Sequence, residues 1–254
     1  MLHALHAPAC TRLDGRGPLV LICDHATNFI PPEYGRLGLP ESELRRHIAY
    51  DIGAAALTRT LAARLRARAI LSGFSRLLID PNRGLDDPTL IMCLSDGAVV
   101  PGNARIDDRE REGRIERFYR PYHEAVAETV AGAESEGLEP ILVSIHSFTP
   151  FWKGRARPWH VGVLYGRDAR LAAPLLAALR EDPALDVGAN EPYGGGLEGD
   201  TLDRHGTRRG RLHALLEIRQ DLIADEEGVA AWTDRLHPIL ERLVADVGAP
   251  RVAA

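Results

Sequence analysis

The stretch Leu19-Val20-Leu21-Ile22-Cys23-Asp24-His25 constrains the fold more than any other, and Ile141-Leu142-Val143-Ser144-Ile145-His146-Ser147 has the same form. Each is a near-continuous apolar run. A strand wetted on one face alternates polar and apolar residues, whereas a run without alternation marks a strand buried on both faces of an α/β sheet. Both runs stop on a histidine. A third run, Leu212-His213-Ala214-Leu215-Leu216, stops on Glu217. Ligands of open α/β sheets collect at the carboxyl ends of the strands. Two imidazoles and a carboxylate, each carried by a separate strand end, point to a metal-assisted hydrolytic site.

The rest of the chain supplies the helices that such strands need. Ala54, Leu57, Leu61 and Leu65 recur at spacings of three and four and form one apolar stripe. Ala69-Ile70-Leu71 and Arg76-Leu77-Leu78-Ile79-Asp80 are predicted as short strands, and Trp159 to Tyr165 as another. Helices are predicted over 109–136, bent or broken at Pro121, over 169–180 and over 228–247. Residues 1–18 read as irregular. The segment 85–107, rich in Asp, Gly and Pro, reads as a long loop that can serve as a lid. No repeat or linker divides the chain, so one domain over 1–254 is expected. The alternation of strands and helices predicts a three-layer α/β/α architecture with a mostly parallel mixed sheet.

Charge and composition narrow the function classes. A formal net charge of -5, with Lys153 the single lysine, gives no basic footprint for nucleic acid. No apolar run approaches a membrane span, and Met1 to His6 lacks the basic and apolar regions of a signal peptide. Cys10, Cys23 and Cys93 have neither metal-type spacing nor an even count, which favours a reducing cytoplasm.

His25 and His146 supply two ligands of zinc type. For the third, the candidates are Asn28, three residues after His25, and Asp51, before the Ala54 helix. A charged carboxylate is the better donor. Glu217 is costly to bury unless paired or used. Its functional reading is a general base that takes a proton from the attacking water and passes it to the leaving amine. Its structural alternative is a salt bridge to Arg219, Arg76 or Arg83. Those three arginines stand beside predicted strand ends or turns, and their forked geometry suits a substrate carboxylate. His123, in Tyr119-Arg120-Pro121-Tyr122-His123, is a further candidate for proton transfer. Gly194-Gly195-Gly196 is no phosphate loop, because no Lys-Ser/Thr follows.

Several segments together resemble the N-formylglutamate amidohydrolase family. They are Asp24-His25-Ala26-Thr27-Asn28-Phe29-Ile30-Pro31, Ser75-Arg76-Leu77-Leu78-Ile79-Asp80-Pro81-Asn82-Arg83, Tyr119 to His123, Ile145-His146-Ser147-Phe148, Asn190-Glu191-Pro192-Tyr193 and Glu217 to Leu222. They span nearly the whole chain in order. The resemblance implies a phosphorylase/hydrolase-like fold, related to zinc carboxypeptidases and cell-wall amidases, and hydrolysis of a carbon–nitrogen bond other than a peptide bond. It implies His25 and His146 as ligands of one zinc ion and Glu217 as the catalytic carboxylate. Asp51 occupies the place of an acidic ligand in the amidase relatives. Asn28 stands where the carboxypeptidases carry the Glu of a His-x-x-Glu pair. The expected substrate is a small N-acyl acidic amino acid such as N-formyl-L-glutamate. The alternatives are a cell-wall or peptide amidase, or a non-catalytic binder of an acidic metabolite on the same fold.

Overall fold

The computed structural model describes residues 8–248. In chain order the elements are β1 (Cys10–Leu13), β2 (Leu19–Cys23), α1 (Glu41–Leu44), α2 (Ala54–Leu65), β3 (Arg68–Ser72), β4 (Leu94–Ser95), β5 (Ala98–Val99), α3 (Asp108–Arg114) and α4 (Arg120–Ser135). They continue with β6 (Ile141–Phe148), β7 (Phe151–Trp152), β8 (Arg155–Ala156), β9 (Val161–Leu164), α5 (Ala172–Leu179), β10 (Val187–Ala189), α6 (Thr201–His205), β11 (Leu212–Arg219) and α7 (Glu226–Gly248).

Seven strands form the central sheet in the order β1-β3-β2-β6-β11-β9-β10. The pairs β2/β3, β2/β6, β6/β11 and β9/β10 are parallel; β1/β3 and β9/β11 are antiparallel. The sheet is therefore mixed and mostly parallel, as expected. Every residue of β2 and β6 is buried because both faces are covered. Leu19, Leu21 and Cys23 face one apolar layer, with Leu57 and Leu61 of α2, Leu175 of α5 and Leu236 of α7. Val20 and Ile22 face the other layer, with Tyr122, Val126 and Val130 of α4. From β2 the chain crosses through α2 to β3 on one side. It then returns to β6 on the other side of β2. This reversal places the topological switch point between β2 and β6, where ligands of such sheets bind.

The structure corrects several local expectations. Arg76 to Asp80 is a turn, not a strand. Leu77, Leu78 and Ile79 are buried, but their anchoring comes from Ser75, whose Oγ donates to the Ala49 carbonyl at 2.7 Å and accepts from the Leu77 amide at 3.2 Å. A continuous apolar run thus marks burial, not strand pairing. Of the stretch read as irregular, 1–7 lies outside the described residues and Cys10–Leu13 is an edge strand. The helix is not broken at Pro121: its backbone stays helical from α3 through the π-helical turn Ile115–Tyr119 into α4, and Pro121, which has no N–H to donate, stands directly after that turn. Segment 85–107 carries the β4–β5 hairpin and contributes no residue to the cavity described below. It is pinned through Asn103, whose Nδ2 donates to the carbonyls of Leu77 and Met92 at 2.7 and 2.8 Å. These bonds replace the lid expectation.

Candidate metal and active site

The three expected ligands meet at the switch point. His25 lies two residues beyond β2. His146 lies inside β6, and its neighbour in the parallel register of β11 is Glu217. Residues paired in this way project from the same face, so Glu217 stands beside His146. Asp51 precedes α2, and its amide donates to the His25 carbonyl at 2.9 Å. That bond brings the Asp51 carboxylate between the two rings. Its Oδ2 lies 2.8 Å from His146 Nδ1 and 3.3 Å from His25 Nδ1, and it accepts from the Ser147 amide at 3.2 Å. The imidazole, imidazole and carboxylate donor atoms all lie within 4.8 Å of one another, and all three residues are buried.

The far nitrogens are held by two carboxylates that sequence reasoning missed. His25 Nε2 is 2.7 Å from Asp80, and His146 Nε2 is 3.1 Å from Asp24. A carboxylate behind each ring favours a proton on Nε2 and turns Nδ1 toward Asp51, where His25 Nδ1 also lies 3.2 Å from Arg76 Nη1. Asp24 is wholly buried and also accepts from Tyr122 Oη at 2.8 Å, Ser144 Oγ at 3.0 Å and Thr201 Oγ1 at 2.6 Å. Asp80 accepts from Arg76 Nη2 at 2.7 Å and from the Asn82 amide at 2.9 Å.

The electrostatics favour positive charge here. Burial opposes ionisation of Asp24, Asp51 and Asp80, yet all three are held below the usual carboxylate range. His146 dominates the lowering at Asp24, His25 with His146 at Asp51, and Arg76 with His25 at Asp80. Burial pulls His146 down, but Asp24 and Asp51 outweigh it and hold the ring well above its ordinary value. Three buried carboxylates around two imidazoles form a place for a divalent cation, and the N, N, O donor set with one side open to a cavity suits catalytic zinc.

That cavity holds 210 Å3, below the roughly 300–1,000 Å3 typical of pockets for drug-sized ligands. A small metabolite fits it better than a polymer. His25, Asp51, His146, Arg76, Arg83 and Glu217 all line it. Glu217 is buried, and its Oε2 has no hydrogen-bond partner. Burial pushes its pKa up to about 7; His146 acts against this and Asp51 adds to it.

The other expected residues lie elsewhere. Arg219 is outside the lining. Its Nε donates to Asp221 Oδ1 at 2.9 Å, and its charge is spent there. It therefore does not face this cavity. His123 is buried behind the wall, with Nδ1 3.0 Å from His205 Nε2 and Nε2 3.0 Å from the Pro81 carbonyl. Burial lowers its pKa to about 3, so it is a neutral packed ring without access to the cavity. Asn28 Nδ2 donates to the Leu44 carbonyl at 2.7 Å, and Asn28 does not line the cavity.

The glycine-rich segment has a steric purpose. At Gly162 of β9 a Cβ would meet the Glu191 carbonyl oxygen at 1.8 Å, and at Gly195 it would meet the Tyr165 backbone at 2.4 Å. These two glycines let the 191–196 segment lie directly on β9, which carries Tyr193 to the cavity wall. Asp200 lines the same wall and caps α6 by accepting from the Asp203 amide at 2.6 Å.

The family model described as N-formylglutamate amidohydrolase matches residues 17–224. Among solved structures, the gene product Atu2144 from Agrobacterium tumefaciens superposes with a TM-score of 0.90 and 36% identity, over 94% of this chain and 96% of that one. The N-formylglutamate amidohydrolase from Ralstonia eutropha JMP134 superposes with a TM-score of 0.65 and 25% identity, over 95% and 98%. No curated protein matches.

Proposed function

Because the chain belongs to the N-formylglutamate amidohydrolase family, whose members are hydrolases of carbon–nitrogen bonds other than peptide bonds, we propose that it is a zinc-dependent amidohydrolase. Its proposed reaction removes the N-acyl group of a small acidic amino acid. N-formyl-L-glutamate, cleaved to formate and glutamate, is the first substrate to test. The observation that carries this reading is Glu217: a buried carboxylate without a hydrogen-bond partner on Oε2, on the cavity wall beside His146. A non-catalytic binder gains nothing from burying an unsatisfied carboxylate, which costs stability.

His25, Asp51 and His146 would hold one zinc ion, which would act as a Lewis acid and make a water proton easier to lose. Asp24 and Asp80 orient the two imidazoles. Glu217 accepts the proton of the attacking water and delivers it to the leaving nitrogen as the acyl carbon–nitrogen bond breaks. Arg83 has Nε on Thr89 and Nη1 on the Asn82 carbonyl, which leaves Nη2 for one substrate carboxylate. Arg76 is bound to Asp80 and faces Asp51, so it contributes positive field at the cavity instead of a free fork.

Formate release from N-formyl-L-glutamate by the zinc-loaded protein tests the reading. Hydrolysis should stop on chelation and return with zinc. Chelator-insensitive hydrolysis, or none of any N-acyl amino acid, would remove it. A second expectation concerns Asp24. Asp24→Asn keeps the shape of the partner of His146 but removes its charge. Loss of such a partner weakens metal binding about 10- to 100-fold, and competition with a chromophoric chelator measures it. Unchanged affinity would reduce Asp24 to a packing role.

A further inference from the structure

The cavity does not stop at Glu217. Alternate residues of a strand project from one face, and His213, Leu215 and Glu217 of β11 all line the cavity. At about 3.3 Å per residue, the wall from Glu217 back to His213 is roughly 13 Å long. Leu164 of β9 is the register partner of Leu215, and Leu202 of α6 packs in the same apolar cluster. These three leucines line the cavity and keep a residual exposure of 5% (Leu164), 6% (Leu202) and 8% (Leu215). At the far end His213 Nε2 lies 3.0 Å from Thr207 Oγ1, and its Nδ1 lies 2.8 Å from the Arg211 carbonyl. Both ring nitrogens are therefore engaged, and the ring closes the wall.

A formyl group carries only hydrogen beyond its carbonyl carbon, so it does not extend from Glu217 to Leu215. The charged half of an N-acyl acidic amino acid is ill suited to the same stretch. Leucines offer a carboxylate no partner, and burying it there is costly. Asp200, two residues before Leu202, is buried and lines the same cavity, and its charge repels another carboxylate. The cations of the lining, Arg76 and Arg83, come from a different segment. The uncharged acyl half of the substrate is the part whose chemistry matches three leucines.

We propose that Leu164, Leu202 and Leu215 form an acyl-chain subsite, and that the group this protein removes is an unbranched aliphatic acyl chain longer than formyl. An extended chain advances about 1.2 Å per bond, so the five bonds beyond the carbonyl carbon of a hexanoyl group span about 6 Å. That distance brings the chain end level with Leu215, two residues along β11 from Glu217. The proposal rests on the amide hydrolysis proposed above and changes its acyl group, not its chemistry.

The test compares N-acetyl-, N-butyryl- and N-hexanoyl-L-glutamate on the zinc-loaded wild type, Leu215→Phe and Leu202→Phe, with N-formyl-L-glutamate as the reference for the reaction itself. The three alkyl amides have similar intrinsic reactivity, so differences among them report the subsite. In the wild type kcat/KM should rise about fourfold per methylene, on the order of 10²-fold from acetyl to hexanoyl. Either phenylalanine shortens the leucine-lined stretch and should bring the hexanoyl-to-acetyl ratio near one. The two variants come from opposite walls, and the Tm of each identifies one that fails to fold. Hexanoyl cleaved no faster than acetyl by the wild type would overturn the proposal. So would a hexanoyl preference that survives in both folded variants. If the wild type cleaves none of the four compounds, the proposed reaction fails, and calorimetry of the acetyl and hexanoyl compounds still decides the subsite. Tighter binding of the hexanoyl compound that Leu215→Phe abolishes sustains it; equal binding, or none, removes it.

Discussion

Glu217→Gln should lower kcat by about 10²- to 10⁴-fold, the usual worth of general acid–base catalysis, with metal content unchanged. The amide keeps the size of the side chain on β11 and removes its basicity. Nothing in the fold depends on the charge, because Glu217 forms no ion pair among the described residues and its Oε2 has no hydrogen bond. A buried carboxylate without a partner costs stability, so the neutral amide should leave the Tm unchanged or raise it. This separates the catalytic reading from the structural one. A carboxylate that anchored an arginine would lose stability on substitution while the folded enzyme kept its turnover. Near-wild-type kcat with full metal would mean that another group moves the proton. His123 is ill placed for that role, since both its ring nitrogens are engaged with His205 and Pro81 behind the cavity wall.

His146→Ala should abolish both metal retention and activity, and it should cost stability too. The ring stands between two buried carboxylates, 3.1 Å from Asp24 and 2.8 Å from Asp51. Removing one partner from a buried ionic cluster typically costs about 3–5 kcal/mol, because the charges left behind have no compensation. A melting curve of metal-free protein reads that cost apart from the metal. His25→Ala should behave alike, with Asp80 retaining Arg76 as a partner and therefore a smaller loss of Tm. Asp51→Ala should weaken zinc binding far more than Asn28→Ala, whose amide is already committed to the Leu44 carbonyl. Full zinc occupancy in a folded His25→Ala, His146→Ala double variant would contradict the ligand assignment.

The sequence revealed what strand pattern alone controls. His25, His146 and Glu217 stood out because apolar runs buried on both faces end on them, and the sheet sets those strand ends side by side. Asp51 was legible only as one of two options; the bond from its amide to the His25 carbonyl, which sets its carboxylate beside both rings, is a tertiary contact. Asp24 stood in plain view beside His25, yet its partner is His146, 122 residues away. No local pattern encodes that pairing. Arg219 misled for the converse reason. Spacing of two along a strand puts a residue on the same face as Glu217, but a long side chain follows its nearest carboxylate, here Asp221. The glycines at 162 and 195 were visible as composition, and only the backbone passing over β9 explains them.

The claim on which the rest depends is that His25, Asp51 and His146 hold one catalytic zinc ion beside Glu217. Anomalous scattering at the zinc edge, from crystals of protein purified without chelator, measures this most directly. The expected result is a single strong peak enclosed by Nδ1 of His25, Nδ1 of His146 and the Asp51 carboxylate, on the Glu217 side of the cavity. A peak elsewhere, or none in crystals of protein that hydrolyses N-formyl-L-glutamate at its full rate, would contradict it.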